Sequence, residues 1–378
     1  MKSGARSRKY RFPLVRPAFP EPAAWVPFLK DSYDQHWFSN FGPVATRLEH
    51  ELTEEFAEVG DAFVVTASAT AGLAACLIAA RITGPVLLPA FTFPASASAI
   101  RMAGAEPALV DVDSANWACD LSRLERALDE TGARAVMLVA PFGIAQDFSA
   151  HIARAEARGA VVIIDNAAGL GGNRQRRAYR GNALEVFSLH ATKPFAVGEG
   201  GAIEAPEARV EALRSALNFG LPWQAGMPSR WGINGKMPEP TAAIGLAALR
   251  DYRAIVADRQ RQVQRYVALF DRFDDIAVYR GPIADSPWQA FPALLPTPEA
   301  ASDFVAEAAR HGLEVRRYYR PSLAEWGGIA TAGNCAVSKL LAERMICLPV
   351  YSRASDGEIA ALHRIVDSCL EKSLAVLA

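Results

Sequence analysis

The sequence predicts an α/β protein: a large domain built on a mostly parallel sheet with helices on both faces, followed by a small C-terminal α+β domain. Three observations carry this expectation. From about residue 62 onward, short β-rich runs alternate with longer helical patterns, the rhythm of βαβ units. A long helical stretch from Thr241 to about Leu269 then carries charge on one face and Ile, Leu and Val on the other, suited to joining two domains. Finally, 378 residues with 51% apolar content suffice for one large core and a smaller one. The division expected is 1–240 for the large domain with its N-terminal arm, and 241–378 for the linking helix and the small domain.

Taken in order, the first strand is expected at Phe63–Thr66 and a helix at Thr70–Ile82, then a strand at Val86–Leu88 and a helix at Pro94–Met102. The alternation continues with a strand at Ala108–Asp111, a helix at Leu121–Leu128, a strand at Ala135–Val139, a helix at Phe148–Arg158 and strands at Val161–Ile164 and Val186–Leu189. Arg209–Leu217 is expected as a helix. In the small domain, strands are expected at Ile276–Tyr279 and Leu313–Arg316, with helices at Ala300–Arg310 and Ser355–Leu370.

A formal net charge of −1 argues against a polyelectrolyte partner, so nucleic acid is not expected, and the basic start Lys2 to Arg11 is too short to alter that balance. No apolar run approaches the roughly 20 residues that cross a bilayer. The basic start meets Pro13 and Pro17 rather than an apolar signal core, and a cytoplasmic protein without membrane contact is expected. Cys76, Cys119, Cys335, Cys347 and Cys369 lack metal or redox spacing and are expected as reduced core thiols.

The chemistry centres on Lys193, in the run Ser188-Leu-His-Ala-Thr-Lys193, about 28 residues after Asp165, which ends the apolar run Val-Val-Ile-Ile-Asp165. That layout suits a lysine forming a Schiff base with pyridoxal phosphate, with an aspartate against the pyridinium nitrogen. Asp165 alone also suits a helix N-cap, but the carboxyl end of an apolar strand is where ligands collect in open α/β sheets. Thr66-Ala-Ser-Ala69-Thr70 is the candidate phosphate cup, small residues between a strand and a helix whose free N–H groups favour an anion; ordinary capping is the alternative. Ser188 is a second candidate hydroxyl. Phe93, after the next strand, is the candidate to stack on the pyridine ring, whereas Phe91 is expected in the core. The glycines of Gly198-Glu-Gly-Gly201 suit a tight turn better than a dinucleotide loop.

Together these segments resemble the DegT/StrS family of sugar aminotransferases, which are fold type I enzymes dependent on pyridoxal phosphate with a large sheet of the seven-stranded type. The resemblance spans nearly the whole chain. It runs from Trp37-Phe-Ser-Asn40-Phe41-Gly-Pro43 through Ser68-Ala-Thr70, Phe91-Thr-Phe93-Pro, Ile164-Asp165 and Ser188-Leu-His190-Ala-Thr-Lys193. It continues through Gly198-Glu-Gly-Gly-Ala-Ile203 and Gly232-Ile-Asn234-Gly to Ile346-Cys-Leu-Pro-Val-Tyr351. The resemblance implies Lys193 as the internal aldimine lysine, Asp165 as the pyridinium partner and Phe93 as the stacking aromatic, with Ala69, Thr70 and Ser188 around the phosphate. It also implies Asn234 reaching the phosphate from a second subunit of a homodimer, with glutamate as amino donor and a nucleotide-linked ketosugar as acceptor. The opening block and Arg316-Arg-Tyr318-Tyr319-Arg320-Pro321 look most like the branch that aminates carbon 4 of a dTDP-4-keto-6-deoxyhexose. In that branch Trp37, Asn40 and Phe41 are expected near substrate, as are His190, Tyr318, Tyr319 and Arg320. The sequence departs from the family pattern twice: Ala168 stands where Gln or His is usual, with Asn166 as a candidate to compensate, and Ala69 stands where glycine is usual.

The expected reaction is a two-stage transamination in which Lys193 moves the proton between substrate and cofactor. Competing expectations are a family member acting on a non-nucleotide ketone such as a cyclitol, a dehydratase, and a non-catalytic ligand-binding or regulatory relative. The absence of an iron–sulfur cysteine cluster argues against reductive dehydration.

Overall fold

The structure is a computed structural model and describes residues 10–172, 179–222, 226–228 and 230–375; Lys2 to Lys9 of the basic start lie outside the described residues. Two short turns, α1 (Pro22–Trp25) and α2 (Lys30–Asp34), precede α3 (Pro43–Phe56). Then come β1 (Asp61–Thr66), α4 (Ala69–Ala79), β2 (Pro85–Pro89), α5 (Pro94–Met102), β3 (Glu106–Val110), α6 (Leu121–Thr131), β4 (Ala135–Val139), α7 (Ser149–Glu156) and β5 (Val161–Asp165). Strands β6 (Leu184–Ser188) and β7 (Gly201–Pro206) lead to α8 (Glu207–Leu217) and α9 (Glu239–Phe270). The chain ends with β8 (Ala277–Val278), β9 (Ala290–Leu294), α10 (Pro298–Arg310), β10 (Ala330–Thr331), α11 (Ala336–Arg344), β11 (Met345–Pro349) and α12 (Asp356–Ala375).

Eight strands form one sheet in the order β1-β7-β6-β5-β4-β2-β3-β10, parallel except where β7 runs against β1 and β6. Alternate side chains go to opposite faces. Val64, Leu88, Met137, Ile163, Val186 and Ile203 pack on α4, α5 and α8 through Leu73, Ile100 and Leu213. Their neighbours Val136, Leu138, Val162 and Ile164 meet Leu124 of α6 and Ile152 of α7, while Phe63, Val65 and Phe187 meet Leu48 of α3 and Leu246 of α9. Burial on both faces explains why β4 and β5 read as continuous apolar runs.

The 32-residue α9, about 48 Å long at 1.5 Å per residue, serves two cores. Its first half contributes Ala242, Leu246, Tyr252 and Ile255 to the core under the large sheet. Its second half contributes Val263, Tyr266 and Phe270 to the core around the antiparallel β11-β9-β8 sheet, α10 and α12. Phe12 and Leu14 of the arm also join that second core.

The small sheet departs from the sequence expectation. Leu313–Arg316 is not a strand, because Leu313 bridges only Phe12 and Arg316 only Cys347, so the segment is a spacer between two partners. Strand β9 carries the sheet instead. Pro292 disguises it in the sequence, yet fits because β8 pairs only with Ala293 and Leu294 and leaves Pro292 a neighbour on one side alone. The expected strand Ile276–Tyr279 contracts to Ala277–Val278. In the large sheet, β7 is hidden behind the glycines that start it.

All five cysteines are buried and unpaired, as expected. No helix among the described residues is long and apolar enough to cross a membrane, and no group of metal-ligating side chains occurs among them.

Glu239, fully buried in the first turn of α9, closes the N-terminus of α3 from outside. Its carboxyl accepts from Val44 N at 2.7 Å, Ala45 N at 3.0 Å and Ser32 Oγ at 2.8 Å. The two backbone N–H groups are donors that a helix start leaves open, and the Ser32 hydroxyl adds a third bond. A Cβ at Gly42 would lie 2.7 Å from Glu239 Cδ, so a larger residue there would displace that carboxyl from its donors. Glu239→Ala strands these donors and is expected to cost about 2–4 kcal/mol, measured as a lower midpoint in urea denaturation.

Candidate active site

The parallel strands end at a cavity of about 490 Å³, lined by Ser68, Ala69 and Thr70, by Phe93, and by Asp165, Ala168, Ser188, His190 and Lys193, with Gln289, Tyr318 and Tyr319 opposite. Its size suits a small-molecule site. Thus the structure brings together every cofactor residue expected from sequence except Asn234.

Asp165 ends β5 on the face shared with Ile163, so its carboxyl turns toward α5. There Ser96 Oγ donates to Oδ2 at 2.6 Å, Thr92 Oγ1 lies 3.0 Å from Ser96 Oγ, and Ala167 N donates to Oδ1 at 3.2 Å. Burial pushes the Asp165 carboxyl above its ordinary value, opposed by the Ser96 hydrogen bond, the charge of Lys193 and the Ala167 N–H. Ser96 and Thr92 carry no signal in the sequence beyond ordinary helix-start residues.

Lys193 sits in a loop tightened by its own N–H to His190 O at 2.8 Å. Its Nζ donates to Gln289 Oε1 at 3.0 Å. Loss of water pulls the Lys193 amine down to about 8, partly countered by the charge of Asp165. The lysine therefore exchanges protons near neutrality, as a base must.

The other end of the cavity suits an anion. Ser68 caps α4, its hydroxyl accepting from Ala71 N at 3.2 Å, and the first helical bond runs from Gly72 N to Ser68 O. This leaves the N–H groups of Ala69 and Thr70, two residues that line the cavity, without helical acceptors. Ala69 has helical backbone and no strain, which accounts for the absence of glycine there. The tight fit lies across from it: a Cβ on Gly201 would come within 2.6 Å of Ala69 N and of Thr66 Oγ1. Of Gly198-Glu-Gly-Gly201, Gly198 takes the positive φ of 99° that a turn requires. Ser188 Oγ accepts from His190 N at 3.3 Å, and His190 Nδ1 lies 2.8 Å from Thr192 Oγ1.

Phe93 stands at the cavity wall, 56% exposed. Tyr319 stacks on Phe142 with centroids 5.6 Å apart, and Tyr318 Oη accepts from Arg316 at 2.8 Å. Ala168 lines the cavity with only a methyl group. Asn166 does not compensate, since it turns away to donate to the buried Glu185 at 2.7 Å. Phe41 is buried, 4% exposed, beneath the Arg214 guanidinium at 5.5 Å from its ring centroid, and does not line this cavity. Trp37 and Asn40 are exposed and do not line the cavity. Arg320 faces a separate surface depression with Arg317 and Glu343. Asn234 is exposed beyond the cavity of its own chain. Gln289, like Ser96 and Thr92, carries no signal in the sequence, since it follows Trp288 in a segment without periodicity.

The DegT/DnrJ/EryC1/StrS aminotransferase family matches residues 26–367. Protein Mb3436c of Mycobacterium bovis is 30% identical over 93% of this chain and 88% of its own length. The dTDP-4-amino-4,6-dideoxy-D-glucose transaminase of Escherichia coli is 26% identical over 94% of this chain and 97% of its own. Among solved structures, DesI in the presence of its TDP-sugar product is 26% identical with a TM-score of 0.85, covering 97% of this chain and 96% of that one. A family match that runs almost end to end, on a fold that superposes this closely, settles the class: the chain belongs to the DegT/DnrJ/EryC1/StrS aminotransferase family and is an aminotransferase.

Proposed function

We propose that the protein is a pyridoxal-phosphate-dependent transaminase that moves the amino group of glutamate to carbon 4 of a dTDP-linked 4-keto-6-deoxyhexose, working as a homodimer. The observation that carries the reading is the cavity with Lys193 on one wall, Asp165 on another and the open N-terminus of α4 at its end. The relatives named for a dTDP-sugar and a TDP-sugar support the acceptor. Cyclitol or other ketone acceptors are the alternative outcomes of the substrate test.

The residues present fit the cofactor. Lys193 would hold it covalently, Asp165 would face its ring nitrogen, Phe93 would cover the ring, and Ala69, Thr70 and Ser188 would take the phosphate. When bound, it supplies an electron sink for the substrate carbon that loses a proton. Asp165, buried and held by Ser96 and Ala167, supplies negative charge at a position shielded from water, where it acts more strongly than in bulk solvent. Lys193, neutral above about pH 8, takes the proton and returns it. Asn234 would complete the phosphate site of a second subunit; residues 1–240 would form the large domain with its arm, and 241–378 the linking helix and the small domain.

Lys193→Ala is expected to lose the yellow colour that borohydride erases and glutamate bleaches, with turnover falling by about 10²–10⁴-fold or more. Full amino transfer in that variant excludes the mechanism. Gly201→Ala pushes on Ala69 and Thr66 and is expected to weaken pyridoxal phosphate binding about 10-fold or more, in line with overpacking costs of 1–3 kcal/mol; fluorescence titration of the cofactor measures it. Mass spectrometry of products from a panel of nucleotide ketosugars and cyclitol ketones, each offered with glutamate, tests the acceptor: amination of a cyclitol alone rejects the sugar assignment.

A further inference from the structure

Gln289 is 96 residues from Lys193 in sequence, yet its amide oxygen takes the hydrogen bond of the lysine amine. Its own backbone is held from three sides. Gln289 N donates to Phe142 O at 2.9 Å. Arg259 of α9, 5% exposed, donates Nε to Trp288 O at 2.6 Å, Nη2 to Gln289 O at 2.8 Å and Nη1 to Ser352 Oγ at 3.3 Å. Trp288 takes a left-handed φ of 53°, and its indole N–H is anchored on Ile283 O at 2.9 Å. A buried arginine spent on two consecutive carbonyls fixes where the following side chain starts. That side chain lines the cavity.

We propose that Gln289 is a positioning residue for Lys193, its amide oxygen holding the ε-amino group at the cavity wall whenever the amine is free, with Arg259 fixing the backbone that carries it. The role of Lys193 as the proton carrier rests on the transaminase reading above. Holding the amine matters because a lysine side chain has four rotatable bonds, and a base must return to one place between proton transfers. Ala168 presents only a methyl group to the cavity, whereas Gln289 supplies a hydrogen bond to the amine itself.

Several charged or titratable groups surround the amine. Asp165 faces it across the cavity, His190 pairs with Glu199, Arg316 is engaged by Glu314 and Tyr318, and Tyr319 is stacked on Phe142. On the arm side, Arg16 is paired with Glu358, and Arg259 is spent on carbonyls. Gln289 is the neighbour that bonds Nζ directly. Replacing it therefore changes the balance between ammonium and amine without disturbing the other pairs.

The test is competitive trace acetylation of the apoprotein with acetic anhydride across pH, reading the Lys193 peptide by mass spectrometry. The wild type is expected to show its midpoint near 8. Gln289→Leu removes the acceptor and is expected to lower the midpoint by about one unit, while Gln289→Glu adds a charge and raises it by about one unit or more. Midpoints that stay unchanged, or that move in the same direction in both variants as general loosening would produce, overturn the proposal. Neither cofactor nor sugar enters this measurement, so a failed acceptor assignment leaves it intact.

Discussion

The site depends on holding an amine and a carboxyl in one partly buried cavity while keeping them out of direct contact. In a medium of low dielectric, opposite charges attract strongly enough to close any gap between them. Each is instead committed elsewhere, Lys193 to Gln289 and Asp165 to Ser96 and the Ala167 N–H. The space so preserved is the binding volume. Their mutual influence survives as a field: burial depresses the amine, and the charge of Asp165 limits that depression.

Much of the site was legible because its parts are local. Asp165 ends an all-apolar run, Ala69 and Thr70 open a helix directly after a strand, and Ser188 and Lys193 share one short block. Each reflects geometry that a few adjacent residues decide. The misses are of another kind. Gln289 and Arg259 meet only because α9 and the start of β9 pack together, and no pattern within either segment records the encounter. The burial of Phe41 beneath Arg214 joins residues far apart in the chain and likewise leaves no local pattern. Strands β7 and β9 were hidden by a glycine start and an internal proline, tolerated because of what lies beside them in the sheet.

Helix α9 gives the architecture its coherence. One continuous rod supplies the carboxyl that starts α3, a wall of the core under the large sheet, and the guanidinium that orders the segment before β9. Displacement at one point along a rigid rod is felt along its length, so core packing and the position of Gln289 are mechanically linked.

The five buried thiols also make the protein its own gauge of opening. Burial drives all five thiols upward, Cys347 to about 12 and Cys335 and Cys369 to about 11, away from the thiolate that reacts. They are distributed over both cores: Cys76 and Cys335 lie on one face of the large sheet, Cys119 on the other, and Cys347 and Cys369 around the small sheet. Alkylation of each therefore tracks the unlocking of its own region, and the order in which they become reactive traces the hierarchy by which the native state comes apart.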